Sequence, residues 1–352
     1  MERIVLTHLR QLVDSKMDPL QFAYRPGIGV DDAVIYLLHR SLSHLESTGS
    51  TVRVMFFDFS SAFNTIQPSL LRGKMEGAGV DCHLAAWTTD YLTNRLQYVR
   101  LRDCESDVVV CSAGAPQGTV LSPFLFTLYI SDFSHNSDSC HIQKFSDDTA
   151  IVGRVSEGNE LEYREVITNF VAWKASHIAP VNIQGLDIEI LEEYKYLGVH
   201  LNNKLDWTHN TDALYKKGQS RLHLLRRLRS FGVCRSLLRT FYDSVVASVI
   251  FYAVVCWSCG SSERDRKRLN KLVRRAGSVL DCSLDSIEEV GERRMLAKLT
   301  SIMDTPSHPL HDTVGALSSS FSSRLLHPQC KRERYRRSFI PTAVRLFNMH
   351  NT

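Results

Sequence analysis

Three aspartates carry the first hint of chemistry. Asp147 and Asp148 are adjacent and flanked by Phe145 and Ile151. Two like charges side by side repel, and a part-buried setting tolerates them when a cation neutralises both. Hard divalent ions such as Mg2+ take carboxylate oxygens and leave room for phosphate oxygens and water. Asp58 supplies a third acid at the end of an apolar run. Three such carboxylates suit a two-ion cluster, with ions ~3.5–4 Å apart clamping the attacking and leaving oxygens of a phosphoryl displacement. Aspartate is also a common turn residue. On these residues alone, a solvated Asp-Asp turn and the metal site of a hydrolase or nuclease stay open.

The elements that must position these acids follow from periodicity. Residues 52–57 form a continuous β-prone run of strand length, which sets Asp58 at a strand end. Residues 141–152 read as a β-hairpin, two short apolar strands around the acidic turn. Short strands are also expected at 98–101, 108–111, 183–191 and 194–201. Helical spacing is found over 1–17, 31–47, 68–77, 83–94, 121–132 and 161–176. Phe22-Ala-Tyr-Arg-Pro-Gly27 and Gly114-Ala-Pro-Gln-Gly118 must be loops. From residue 208 the pattern is almost wholly helical: 208–230, 235–257, 263–281 and 286–303. The last fifty residues carry a Ser-rich patch at 318–323 and the basic run Lys331-Arg-Glu-Arg-Tyr-Arg-Arg337. No internal repeat is visible, and the layout changes from mixed α/β to all-α near residue 205.

The composition is ordinary for a globular chain: 352 residues, 43% hydrophobic and 23% charged. It excludes wholesale disorder, collagen-like repetition and a disulfide-dense mini-protein. The net charge of +4 hides an asymmetry. Residues 1–214 hold 17 Lys/Arg against 27 Asp/Glu, a net of −10, and residues 215–352 hold 25 against 11, a net of +14. Such a split favours a polyanionic partner. Nine cysteines without framework spacing, and a start lacking an apolar leader, predict an intracellular protein with reduced thiols. Cys256-Trp-Ser-Cys259 has a redox or half-zinc spacing, but no second pair stands at zinc distance, so buried thiols are expected. Residues 244–262 carry no charge. Their apolar core, 245–257, is shorter than the ~20 residues a bilayer span needs, which predicts a buried helix and no membrane partner.

Taken in order, five segments resemble the reverse transcriptases of non-LTR (LINE-type) retrotransposons. Gln21-Phe-Ala-Tyr-Arg-Pro-Gly27 is similar to the fingers motif, and Phe57-Asp58-Phe-Ser-Ser-Ala-Phe63-Asn-Thr-Ile66 to the first catalytic motif. Gly114-Ala-Pro-Gln-Gly-Thr-Val-Leu-Ser-Pro123 resembles the second, and Phe145-Ser-Asp-Asp-Thr149 the aromatic-Ala-Asp-Asp motif. Tyr194-Lys-Tyr-Leu-Gly-Val199 resembles the primer grip. The resemblance covers about residues 1–300. It implies an α+β fold of right-hand polymerase architecture, with fingers, a palm of antiparallel sheet plus helices, and an all-α thumb and C-terminal region. The implied boundaries are 1–50 partial fingers, 51–205 palm with interleaved fingers elements and primer grip, 206–305 helical thumb, and 306–352 a basic tail.

The resemblance also implies an RNA-directed DNA polymerase that adds dNTPs to a primer 3′-hydroxyl. Asp58, Asp147 and Asp148 would hold two Mg2+ ions (Mn2+ as a substitute), with the main-chain carbonyl of Phe59 assisting. Phe63 would be the steric gate against a 2′-hydroxyl. Arg25 would contact the incoming triphosphate, a task for a fixed, always-charged guanidinium. Gln117 and Gly118 would line the nucleotide and template pocket. Tyr196, Leu197 and Gly198 would form the primer grip. RNA template, DNA primer and dNTPs are the implied partners, and the nucleus the implied place of action, with Lys331–Arg337 a candidate import run. Arg226-Arg227-Leu-Arg229 and Arg274-Arg275 would track the duplex phosphates.

The pattern departs from the family in three ways. Nothing resembles the endonuclease these elements carry, or RNase H. Ser146 stands where Ala is usual. Trp173-Lys-Ala-Ser-His-Ile-Ala-Pro180 runs almost straight into Val181-Asn-Ile183, where the family has a further palm strand and a lysine that protonates pyrophosphate. Lys174 and Lys195 are the lysines left to substitute. A missing palm segment would leave unpaired backbone and a hole in the core, so weak or absent activity is expected. The alternative is a non-catalytic nucleic-acid-binding remnant; a two-metal nuclease would need the acids but not Phe63, Gln117 or the primer grip.

Overall fold

The protein is described from a computed structural model that covers residues 1–59, 61–177 and 190–350. In chain order the elements are α1 (Glu2–Val13), α2 (Val30–His44), β1 (Ser50–Phe57), α3 (Pro68–Gly77), α4 (Cys82–Leu92), β2 (Arg95–Gln97), β3 (Arg100–Leu101), β4 (Cys104–Glu105), β5 (Val109–Cys111), α5 (Ser122–Tyr129), β6 (Cys140–Phe145), β7 (Asp148–Ser156) and α6 (Leu161–His177). They continue with β8 (Glu193–Tyr196), β9 (Val199–Asn202), α7 (Thr208–Ser230), α8 (Arg235–Phe241), α9 (Ser248–Ile250), α10 (Val254–Trp257), α11 (Glu263–Leu280), α12 (Ile287–Asp304), α13 (His311–Gly315), α14 (Glu333–Arg336) and α15 (Phe339–His350). Two compact units divide the chain: Met1–Gly29 with Ser47–Asp187, and Val30–Glu46 with Ile188–Thr352.

The first unit is α+β and built on an antiparallel sheet of order β1-β7-β6. β7 lies in the middle and is buried along nearly its whole length, which is why Ala150, Ile151 and Val152 run apolar without alternation. Phe170 of α6 packs on Phe57 at 4.8 Å between ring centroids and on Phe133 at 5.3 Å, closing the core over the sheet. α5 is apolar on every side and buried on nearly every side. The short strands expected over 98–101 and 108–111 are two separate pairs, β2 with β5 and β3 with β4. Tyr98 and Val99 fall between strands and are exposed. The expected strand at 183–191 lies almost entirely outside the described residues.

The second unit is mostly helical. On α7, Leu214, Gly218, Leu222 and Leu225 recur at helical spacing and are buried. A Cβ on Gly218 would stand 2.9 Å from Leu272 of α11 and 3.2 Å from Ile250, so glycine is what lets these helices approach. α11 and α12 begin as their sequences dictate, with side-chain caps from Ser262 and Ser286, the latter a capping box with Glu289. The strand run 194–201 is a hairpin, β8 with β9, because Leu197 and Gly198 turn at φ +47 and +82.

Residues 235–257, expected as one helix, are broken. A π-helical stretch spans Tyr242–Ala247, and Ala253 sits at φ +48 between α9 and α10. Ser244 and Ser248 donate to Thr240 O and Ser244 O, each at 2.6 Å, a back-bonding that bends helices. The run Arg235–Trp257 is long and apolar enough to cross a membrane by length and composition, and half of it is buried inside the protein. Residues 306–352, expected as a basic tail, contain α13–α15 with Val314, Tyr335, Phe339, Ile340 and Leu346 buried. Arg337 of the basic run donates to Cys259 O and Ser261 O, both at 2.9 Å.

Candidate active site

β1 and β7 pair antiparallel up to Phe57 opposite Thr149. Carrying that register one step further sets Asp58 beside Asp148. β6 closes the same end, with Phe145 paired to Asp148 across a two-residue turn, Ser146–Asp147. The alternation expected of a hairpin thus delivers three carboxylates to one sheet end. Asp58 is exposed, and Asp147 and Asp148 are half-buried. Burial, then the charges of Asp147 and Asp58, push the Asp148 carboxyl above the usual range. Among the described residues no three His, Cys, Asp or Glu side chains converge closely enough to hold an ion as they stand. The donor set itself, carboxylate oxygens, is the chemistry a hard divalent cation takes.

Phe63 lies in the 3-10 turn Ala62–Thr65 and leans on Phe126 at 5.3 Å between ring centroids. The loop carrying Gln117 is sewn to this turn. Gly114 N donates to Ile66 O and Ala115 N to Phe63 O, each at 2.7 Å. Gly114 has φ +73, and a Cβ there would stand 2.8 Å from Asn64 Cα and 2.9 Å from Phe63 O, so conformation and space both require glycine. Gln117 and Gly118 are exposed beyond it. Pro116 O accepts from Ser122 Oγ at 2.7 Å, and Glu2 accepts from Val120 N at 2.8 Å, which fixes the start of α5.

Arg25 is half-buried; its guanidinium donates to Pro19 O at 2.9 Å and Gln21 O at 3.3 Å, bracing its own loop. Tyr196, Leu197 and Gly198 belong to the second unit. Tyr196 is buried in its core, and Leu197 O accepts from Tyr252 Oη at 2.7 Å. Lys174, no better placed than Lys195 by sequence alone, is at the acids: its Nζ donates to Asp58 O at 3.0 Å and lies 4.5 Å from the centroid of Phe59. Burial holds that ammonium below the usual lysine range, against the opposing pull of Asp58. The only hint in the sequence was its place after Trp173 on a helix facing the core. The segment proposed as deleted lies largely outside the described residues.

Residues 1–201 match the family of reverse transcriptases (RNA-dependent DNA polymerases). A short second match, residues 207–248, is to the N-terminal part of the alkylated DNA repair protein alkB homolog 8. Among curated proteins, the chain is 22% identical over 363 residues to the probable RNA-directed DNA polymerase from transposon BS of Drosophila melanogaster, covering 92% of this chain and 38% of that one. It is 23% and 24% identical to the RNA-directed DNA polymerases from mobile element jockey of Drosophila melanogaster and Drosophila funebris, covering 77% of this chain and 33% of each. The chain thus spans about a third of the length of these relatives. Solved structures with distant likeness include apo telomerase from Candida tropicalis (12% identity, 87% of this chain, 54% of that chain, TM-score 0.47). Telomerase from Candida albicans with a telomeric RNA fragment is another (12%, 90%, 56%, TM-score 0.42). With more than half its length matched, motif acids included, the chain belongs to the reverse transcriptase family.

Proposed function

We propose that this chain extends a DNA primer on an RNA template, in the manner of retrotransposon polymerases. The observation that carries the reading is the placement of Asp58, Asp147 and Asp148 at one end of the β1-β7-β6 sheet. Reverse transcriptases use divalent metal ions as a family. Here Asp58, Asp147 and Asp148, with the carbonyl of Phe59, would hold Mg2+, or Mn2+ in its place. When bound, such ions supply the charge that activates the primer hydroxyl and neutralises the departing pyrophosphate.

The chain's own residues do the rest. A primer 3′-hydroxyl attacks the α-phosphate of a dNTP whose triphosphate Arg25 contacts. Phe63, held by Phe126 and by the loop at Gly114, presents a rigid ring under the sugar that rejects a 2′-hydroxyl. Gln117 and Gly118 offer an exposed loop edge to nucleotide and template. Tyr196, Leu197 and Gly198 form a fixed hairpin turn for the primer. On the second unit, Arg226 and Arg227 of α7, and Arg264, Lys271 and Arg274 of α11, are exposed and suit the phosphates of a duplex. We assign right-hand fingers, palm and thumb roles on the same basis, with action in the nucleus and no membrane partner. A fluorescently tagged chain excluded from nuclei would sink the nuclear part.

The test is extension of a DNA primer on an RNA template by the purified chain in Mg2+ or Mn2+. Extension that falls by roughly 10³-fold or more in Asp147→Asn is the expected result. Duplex binding with no extension above that variant would overturn the polymerase reading in favour of the non-catalytic binder, which the exposed bases of α7 and α11 also suit.

A further inference from the structure

The turn that presents the carboxylate pair is held in an unfavourable conformation. Ser146 sits at φ +57, in the left-handed region, on a two-residue connection where glycine is usual. Its holder is Gln21, 125 positions away in sequence and 2% exposed. Ser146 N donates to Gln21 Oε1 at 2.9 Å, while Gln21 Nε2 stands 3.5 Å from Ser146 O, so one amide faces both backbone groups of the strained residue. Ala23 N also donates to Gln21 Oε1, at 3.0 Å. Two converging N–H donors fix which end of the amide is oxygen.

The clamp is anchored on both sides. Gln21 forms a parallel bridge with Lys144, the second residue before the turn. Phe22 N donates to Lys144 O at 2.8 Å and Lys144 N to Leu20 O at 2.9 Å. Lys144 is itself locked, its Nζ donating to Asp18 Oδ2 at 2.7 Å and to Ile130 O at 2.9 Å. The Ser146 hydroxyl adds a longer contact, 3.3 Å from Tyr24 Oη. Residues 18–24 thus form a cradle whose inner surface is shaped to one turn.

We infer that Gln21 is a positioning residue for the carboxylate pair, its side-chain amide holding the left-handed Ser146 turn that aims Asp147 and Asp148. The fingers-like segment around Gln21 then acts on the acids directly, besides presenting Arg25. The activity arm of the test rests on the polymerase reading; the other arms do not.

The test compares Gln21→Leu, Gln21→Glu, Ser146→Gly and the double variant Gln21→Leu/Ser146→Gly. Three quantities are read: amide exchange at 145–148, Mg2+ affinity by calorimetry, and kcat and KM of primer extension. Loss of the clamp should speed Ser146 amide exchange, weaken Mg2+ binding and lower kcat by roughly tenfold each in Gln21→Leu, with KM for dNTP nearly unchanged. Glycine adopts positive φ without help, so the double variant should recover Mg2+ affinity and kcat to within about threefold. Gln21→Glu keeps both accepted bonds and should retain most of the protection.

Unchanged exchange in Gln21→Leu would overturn the inference. So would losses that Ser146→Gly does not repair in a chain that still unfolds cooperatively, since that pattern marks a merely structural residue. A wild type that never extends primers, with the exchange effect intact and confined to 145–148, would remove the polymerase reading and leave the inference standing. A wild type that extends primers no better than Gln21→Leu would do the reverse.

Discussion

In the first unit Asp18 faces Lys144 at 2.7 Å, both side chains at most 2% exposed, and the lysine also donates to Ile130 O and Phe133 O. In the second, the buried Asp32 accepts from Lys298 at 2.8 Å and from His308 Nε2 at 3.0 Å, while His308 Nδ1 accepts from Leu310 N. Each unit therefore hides one acid under a lysine, and the second adds an imidazole to the set. The difference extends outward. Lys144, Lys174 and Lys74 of the first unit are turned toward carbonyls and acids of their own unit. The second unit turns its cations out: α7 and α11 expose Lys216, Lys217, Arg221, Arg274 and Arg275 over an apolar inner face. Counted by unit, the first holds 14 Lys/Arg against 19 Asp/Glu and the second 28 against 19. The asymmetry is milder than a cut at residue 214 suggests, because α2 and the acids of 188–214 belong to the basic unit. What matters is less the count than the direction in which charges point.

That contrast can be broken at its strongest point. Lys144→Ala leaves Asp18 buried without its cation and should cost about 3–5 kcal/mol, read as a lower urea midpoint. A companion Asp18→Asn/Lys144→Met should regain most of that loss, and a loss below about 1 kcal/mol in Lys144→Ala would mean the pair is not dry.

A smaller effect concerns His39 on α2 of the second unit. Burial, then the charge of Arg40, holds His39 at about 4 rather than 6.5, and its Nδ1 is buried without a partner. The unfolded chain takes up a proton at 6.5 and the folded one only near 4. Stability should therefore be full above pH 6.5 and fall by roughly 1–3 kcal/mol as pH drops to about 4. In His39→Gln that part of the decline should vanish; an unchanged pH profile would assign the sensitivity elsewhere. The smallest effect concerns the outward cations. Lys271→Gln and Arg274→Gln should each lower the slope of log affinity against log salt for duplex by about 0.9, with no change in thermal unfolding. Equal slopes would show these side chains merely solvated.

Much of this was legible in the chain. The apolar run before Asp58, the hairpin around Asp147-Asp148 and the helices expected at 68–77, 208–230 and 263–281 all declare themselves by hydrophobic pattern. The broken helix at 235–257 did not, since serine back-bonding and the turn at Ala253 leave no break in hydrophobicity. Gln21 and Lys174 stayed hidden for a different reason. Their roles depend on contacts across more than a hundred positions, and an amide or ammonium in a sequence does not announce which carbonyl it meets.

α2 enters and leaves the second unit between two stretches of the first, and nine of its fifteen residues are buried there, Asp32 under Lys298 and His308 among them. On the ribosome that helix emerges with its apolar face bare. Its ion-pair partner Lys298 on α12 follows 266 residues later, a wait of roughly 13–53 s at ~5–20 residues per second. The first unit can assemble around the gap meanwhile. The nascent chain thus carries a sticky helix for most of its synthesis, and its yield in a cell should depend on chaperone supply as well as on the stability of the finished fold.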